Sequence, residues 1–191
     1  MSDRRNPGYV YRIFDTRVRS SIQLPGLPGC PDGDEHLSVY VDTGSAEDHN
    51  GFEWVHEWKT EQGVVIAACA RGKDAYLLRF PGLSDFHIIP GERKIVAFPS
   101  PGILANTLSH LLIDQVIPRV LGHRGEVVMH ASAVVTADGN AVAFLGDSGR
   151  GKSTLASSCY QAGFGMVTDD SMLLKLEHGQ VFCVAAYPSL R

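Results

Sequence analysis

AVAFLGDSGRGKS, residues 141–153, is the stretch on which the reading of this chain turns. Ala141 to Leu145 is an apolar run with the length of a short buried strand. Gly146-Asp147-Ser148-Gly149-Arg150-Gly151-Lys152-Ser153 then fits G-x-x-x-x-G-K-[ST], and a helical pattern opens at Lys152 and runs to Ala162. A strand before and a helix after separate this match from a glycine-rich turn with a chance lysine. A polyphosphate must be met at close range by backbone N–H groups, and glycines let the backbone curl into that concavity without Cβ clashes. The helix start adds unpaired N–H donors and the positive end of its dipole. Lys152 then supplies a mobile charge for the β- and γ-phosphates, and the Ser153 hydroxyl is a ligand for Mg²⁺.

The bulk properties limit the classes of partner. At 191 residues the chain suits one domain or two small ones, and its 44% apolar and 20% charged fractions are those of a globular protein. A net charge of −4, without a basic block, argues against nucleic acid and anionic membranes as partners. No apolar run reaches membrane-spanning length, and MSDRRNPGYV leads into no signal-like apolar segment. Cys30, Cys69, Cys159 and Cys183 are scattered without zinc-like spacing, which reads as reduced thiols in a cytoplasmic protein.

Before the glycine loop the chain reads as a β-rich module over residues 1–100. YVYRIFDTRVRSSIQ (9–23) alternates as strands, with Arg17 and Arg19 on one face: a solvated face, or a receptor for an anionic partner. LPGLPGCPDGDE (24–35) is loop, HLSVYVD (36–42) a strand, and 43–51 a polar turn. Phe52, Trp54, His56 and Trp58 recur at every second position, a strand face expected in the core. VVIAACA (64–70), DAYLLRF (74–80), FHII (86–89) and KIVAF (94–98) follow between turn residues, as in a mostly antiparallel module. A bridging helix is expected over 101–124, with Ser100 as N-cap, Pro101 in the first turn, a kink or early end at Pro118, and Gly122 as the stop. The third part, residues 125–191, opens with a hairpin: EVVMHASAVVT (126–136), a turn at 138–140, then AVAFL. After the helix, with Leu155, Cys159 and Ala162 inward, come FGMVTDD (164–170) and a second hairpin, SMLLKL and VFCVAA around His178-Gly179. The class is α/β in the α+β sense.

Asp169 and Asp170 lie seventeen and eighteen residues after Lys152. Adjacent strand residues point to opposite faces, so both carboxylates face a phosphate site only at a strand end or bend. The plain alternative is an Asx turn into the next strand.

His130-Ala131-Ser132-Ala133, GDSGRGKST and TDD-S-M-L-L together resemble the catalytic core of HPr kinase/phosphorylase and its relatives. That P-loop core in turn resembles phosphoenolpyruvate carboxykinase. YRIFDTRVRSSIQLPGL and the helix ending near IPRVLG are similar to HPr-kinase-like proteins, among them kinases of lasso-peptide biosynthesis. The resemblance is specific over 126–191 and looser over 1–125. It implies that Gly146, Asp147, Ser148, Gly149, Arg150, Gly151, Lys152, Ser153 and Thr154 bind the phosphates of ATP, and that Ser153 and Asp169 serve Mg²⁺. It also implies that Asp170 is the general base toward an acceptor serine, with His130 close to it; a plain strand histidine is the alternative for His130. The family's further acidic ligand, basic segment and acceptor-side arginine have no counterpart before Arg191, and Pro188-Ser189-Leu190-Arg191 resembles the start of another motif, as in a truncated chain.

The resulting expectation is an ATP-dependent kinase acting on a serine hydroxyl of a peptide or small protein, with a lasso-type precursor peptide as the narrower form. A kinase of free serine and a nucleotide-binding interaction module with little catalysis are the competitors. Phosphorylase activity has no support, and a homo-oligomer is compatible with the reading.

Overall fold

The computed structural model describes residues 8–31, 33–34, 37–43 and 51–186. It is mixed and sheet-rich with few helices, an α+β arrangement, and it divides into two compact units. One comprises Met1–Arg12 and Thr16–Leu112, the other Ile13–Asp15 and Ile113–Arg191, so the division falls inside the helical stretch. The Pro188–Arg191 motif and residues 44–50 of the expected polar turn lie outside the described residues.

The first unit is built on β1 (Tyr9–Ile13), β2 (Thr16–Ser20), β3 (Leu37–Val41), β4 (Glu53–Lys59), β5 (Val65–Arg71), β6 (Tyr76–Phe80), β7 (Ser84–Ile89) and β8 (Lys94–Pro99). They form one sheet in the order β1-β2-β3-β8-β7-β6-β5-β4. From β4 to β8 each strand turns back on the last, as the Pro-Gly and Arg-Gly punctuation predicts. The other end of the sheet departs from the antiparallel expectation: β2–β3 and β3–β8 are parallel. A parallel pair needs a connection long enough to carry the chain back, and the Pro/Gly-rich stretch after β2 supplies that length. Alternation along β7, with Ser84, Phe86 and Ile88 buried, puts one face into the core. Burying Phe86 completely is worth about 2–3 kcal/mol.

The aromatic stripe is not core. β4 is an edge strand, and Trp54 is 45% exposed, with Arg79 stacked 4.9 Å over its ring. Arg79 is held there by a forked ion pair to Asp85, its Nη2 2.9 Å from Oδ2. That pairing holds the guanidinium above its ordinary pKa against the opposing effect of burial. Period-two spacing does not keep these side chains on one face either, because the pairing of β4 with β5 shifts register between Trp54 and His56.

The bridging helix begins later than Ser100. Ser100-Pro101-Gly102-Ile103 is a tight turn closed by Ile103 N–H to Ser100 O at 3.2 Å, with Gly102 at φ +82°. Pro followed by a left-handed Gly is the signature of a type II turn, and it takes the proline that also suits a helix start. The helix α1 runs over Ala105–His110 with no side-chain cap, a π-helical turn follows over Leu111–Val116, and α2 spans Ile117–His123. Pro118 is the second residue of α2, directly after the π-helical turn, and that widened turn accommodates the N–H that proline lacks.

The second unit holds two three-stranded antiparallel sheets. One has the order β11-β10-β12, from β10 (Ser132–Val135), β11 (Ala141–Phe144) and β12 (Gly165–Thr168). The other has the order β14-β13-β9, from β9 (Val127–His130), β13 (Ser171–Glu177) and β14 (Gln180–Ala185). The expected strand 126–136 is therefore two strands, broken at Ala131 as the chain passes from one sheet to the other. A matching break at Asp169-Asp170 separates β12 from β13. Ala131 N–H donates to Asp170 O at 3.1 Å, so the breaks face each other. Ala131, Ala133 and Met172 form the buried centre, with Met129, Ala143, Val167, Leu174 and Cys183 packed around it. Residues 13–15 belong here through Phe14 N–H to Ala186 O at 2.7 Å and an Asp15–Lys175 ion pair.

The helix α3 (Lys152–Gln161) lies on the first of these sheets. Its inward face is not the expected one: Lys152 and Ala156 are buried, whereas Leu155 is 50% exposed and Ala162 is exposed. Starting the helix at the loop lysine turns that lysine inward, and residue 156, one turn on, follows it. No helix among the described residues is long and apolar enough to cross a membrane.

Candidate functional site

β10 runs antiparallel to both its neighbours, so β11 and β12 are parallel to each other. The register pairs Ser132 with Phe144 and Ala133 with Thr168, which brings the C-terminal ends of β11 and β12 to the same edge. The glycine loop leaves from the first end and Asp169-Asp170 from the second. They are separated by two strand spacings, about 10 Å between backbones. His130, the last residue of β9, pairs with Ser171 beside the same break. The glycine loop and the acid pair thus leave the same end of the β11-β10-β12 sheet, and His130 ends β9 of the other sheet beside the break that leads into β10.

The loop takes the shape its glycines permit. Gly149 and Gly151 stand at φ +78° and +83°, and Gly151 is the N-cap of α3. A Cβ at either would meet nothing within 4 Å, so the demand for glycine there is one of backbone conformation, not space. α3 has no side-chain cap, which leaves its first-turn amides directed out of the helix start. Lys152 is only 8% exposed, and its Nζ donates to Gly146 O at 2.8 Å and Asp147 O at 3.0 Å. The ammonium is thus folded over the loop it belongs to. Asp147, Ser148, Arg150, Ser153 and Thr154 are exposed around it.

The two acids differ. Asp169 is half-buried, and its Oδ1 accepts from Ser132 Oγ at 3.0 Å; the same hydroxyl lies 3.2 Å from Asp169 O. Asp170 is exposed, and the contact recorded for it is the main-chain bond from Ala131. His130 is exposed as well. Ser132 belongs to the His130-Ala131-Ser132-Ala133 motif, but its role is not legible in sequence. A buried serine is recognised as a partner of an acid only when the strand breaks are known to face each other.

The donor set suits a hard cation bound mainly by phosphate and water. Asp169 Oδ2 makes no hydrogen bond among the described residues, Ser153 presents its hydroxyl at the helix start, and no group of three or more His, Cys, Asp or Glu forms a closed metal cage among the described residues. Mg²⁺ is held in this way, by one or two protein oxygens and the substrate's phosphates.

Compared with protein-family models, curated proteins and solved structures, the chain has no match.

Proposed function

We propose that this chain is an ATP-dependent phosphotransferase, built like the HPr-kinase-related P-loop kinases, which moves the γ-phosphoryl group to a serine hydroxyl of a peptide or small protein. The observation that carries this reading is the shared edge of β11 and β12, from which the glycine loop with Lys152 and the acid pair both emerge. Phosphoryl transfer needs positioning and charge neutralisation more than covalent help. The loop amides and the α3 start take the phosphate oxygens. Lys152 exchanges its two carbonyl partners for β- and γ-phosphate oxygens. Ser153 and Asp169 would hold Mg²⁺, which supplies neutralisation of the charge shared by the β- and γ-phosphates.

Asp170, exposed and without a side-chain partner among the described residues, takes the hydroxyl proton. The serine oxygen forms its bond to the γ-phosphorus as the bond from that phosphorus to the bridging oxygen of ADP breaks. ADP leaves with the bonding pair, and the proton stays on Asp170. His130, next to the break, lies on the acceptor side. A lasso-type precursor peptide is the narrower substrate, and a cytoplasmic location goes with the use of ATP.

The test is Mg-ATP with free serine and with serine-containing peptides, read by intact mass and ADP release. A mass gain of one phosphoryl group on a peptide supports the reading. ADP with free phosphate and no modified product makes the protein an ATPase, and nucleotide binding without ADP ends the catalytic reading. One observation favours the competing interaction module. Val127, Leu176 and Val181 fall on one face of the β14-β13-β9 sheet and are exposed, Leu176 to 75%. Single exposed apolar side chains are ordinary, but three adjoining ones suit a partner.

A further inference from the structure

We infer that Ser132 is the positioning residue of this site: its hydroxyl orients the Asp169 carboxylate so that the second oxygen is presented to the metal of a bound metal–nucleotide. The inference rests on the phosphoryl-transfer reading and adds a residue to it.

Ser132 is completely buried. Its hydroxyl proton therefore has no solvent oxygen to choose, and the acceptors within reach both belong to Asp169. Asp169 O and an ionised Asp169 carboxylate only accept, so the direction of the bond is settled: Ser132 donates. A hydrogen bond to a charged acceptor is roughly twice as strong as a neutral one, and burial keeps water from competing for it. The carboxylate is consequently held by Oδ1, which leaves Oδ2 as the oxygen without a hydrogen bond among the described residues.

The strand geometry explains why the residue at 132 does this. Ser132 is the first residue of β10, the strand that lies between β11 and β12. It therefore stands between the departure of the glycine loop and that of the acid pair. Ala131 N–H, one residue earlier, holds Asp170 O at 3.1 Å. One main-chain bond and one side-chain bond thus clamp the two breaks together, and only the side-chain bond acts on a carboxylate. The same burial excludes Ser132 from being a phosphoryl acceptor, since no nucleotide reaches a hydroxyl with no exposed surface.

Residues that hold a metal-binding carboxylate by hydrogen bond contribute through it, and their loss costs about 10–100-fold in metal affinity. The test measures Mn²⁺ affinity by electron paramagnetic resonance in the presence of a non-hydrolysable ATP analogue. It compares the wild type, Ser132→Ala, Asp169→Asn and the double variant. Analogue affinity in EDTA is measured in parallel. Ser132→Ala is expected to weaken Mn²⁺ binding by about tenfold or more, to leave metal-free analogue affinity unchanged, and to add nothing in the Asp169→Asn background. Ser132→Cys, close in volume and a weak donor, is expected to behave as Ser132→Ala does and replaces it if that variant does not fold. Unchanged Mn²⁺ affinity in the serine variants overturns the inference. So does a loss that persists undiminished beside Asp169→Asn, because Ser132 would then act by packing alone. A wild type that binds neither analogue nor Mn²⁺ brings down the phosphoryl-transfer reading itself, and the metal role of Ser132 falls with it.

Discussion

Lys152 Nζ lies 2.8 Å from the carbonyl oxygen of Gly146, so the charge that the proposed function assigns to phosphate is engaged with its own loop. The same group reaches Asp147 O at 3.0 Å. Under the proposed function, binding a polyphosphate would be an exchange of partners, not the filling of a vacancy for charge.

Two consequences follow for Lys152→Ala. The loop loses charge-assisted hydrogen bonds at a nearly buried donor, which lowers stability by about 1–2 kcal/mol. The variant is also expected to lose the response to ligand: on the proposed function Mg-ATP should raise the melting temperature of the wild type through mass action and leave that of Lys152→Ala unmoved. Differential scanning fluorimetry with and without nucleotide measures both. An equal nucleotide-induced shift in both proteins would remove Lys152 from the site.

Gly151 and Gly122 make a controlled pair. Neither would crowd a Cβ, but Gly151 stands at φ +83° whereas Gly122 lies inside α2. Gly151→Ala forces an L-residue into the left-handed region at a cost of about 1–2 kcal/mol, and it rotates the amides that open α3. Gly122→Ala stabilises by about 0.5–1 kcal/mol through helix propensity and the stiffer unfolded chain. Urea unfolding of both variants reads the opposite signs, and only Gly151→Ala is expected to weaken nucleotide binding.

These glycines also mark how much the sequence alone can say. Strand, loop and helix from Ala141 to Gln161 follow from local pattern, because each is set by neighbours within a few residues, but the expected burial of the strand does not: Ala141 and Val142 are exposed, and Leu145 is 55% exposed. A strand end at Asp169-Asp170 follows from sequence only on the condition that both carboxylates serve one site, with an Asx turn as the alternative; β12 and β13 do part there. What pattern cannot supply is pairing over distance. The break at Ala131, the parallel course of β2, β3 and β8, and the bond from Ser132 to Asp169 all depend on segments tens of residues apart. The aromatic stripe of β4 fails for the same reason: the pairing with β5 shifts register between Trp54 and His56, which breaks the alternation, and the strand ends the sheet. Ser100-Pro101 reads from sequence as a helix start, and the left-handed Gly102 makes it a turn instead.

Asp170→Asn separates binding from chemistry. The substitution keeps shape and exposure but removes the proton acceptor. Nucleotide affinity is expected to hold, while phosphoryl transfer falls by about 10²–10⁴-fold, the usual contribution of a positioned base. Single-turnover assays beside nucleotide titration distinguish the two quantities. Undiminished transfer would take the base role away from Asp170.

The thiol of Cys183 gives the second unit a pH signature that does not involve the phosphate site. Burial pushes it above its ordinary value of 9.0, and its Sγ donates to Met172 Sδ at 3.3 Å in the packed centre. The neutral thiol is therefore favoured in the folded state, and the unfolded chain ionises first as pH rises. Its contribution is fully present below the unfolded value and is lost as pH climbs through the folded one. The stability difference between wild type and Cys183→Ala should accordingly narrow in alkaline solution. Chemical unfolding of both proteins at neutral pH and above the ordinary thiol value tests this, with the other titrating groups cancelling in the difference. At mildly alkaline pH, iodoacetamide should also label Cys183 more slowly in the folded protein than in urea, since the thiolate is the nucleophile. A difference that stays constant across the range, together with equal labelling rates, would mean that the thiol is not buried as Met172 and its neighbours require.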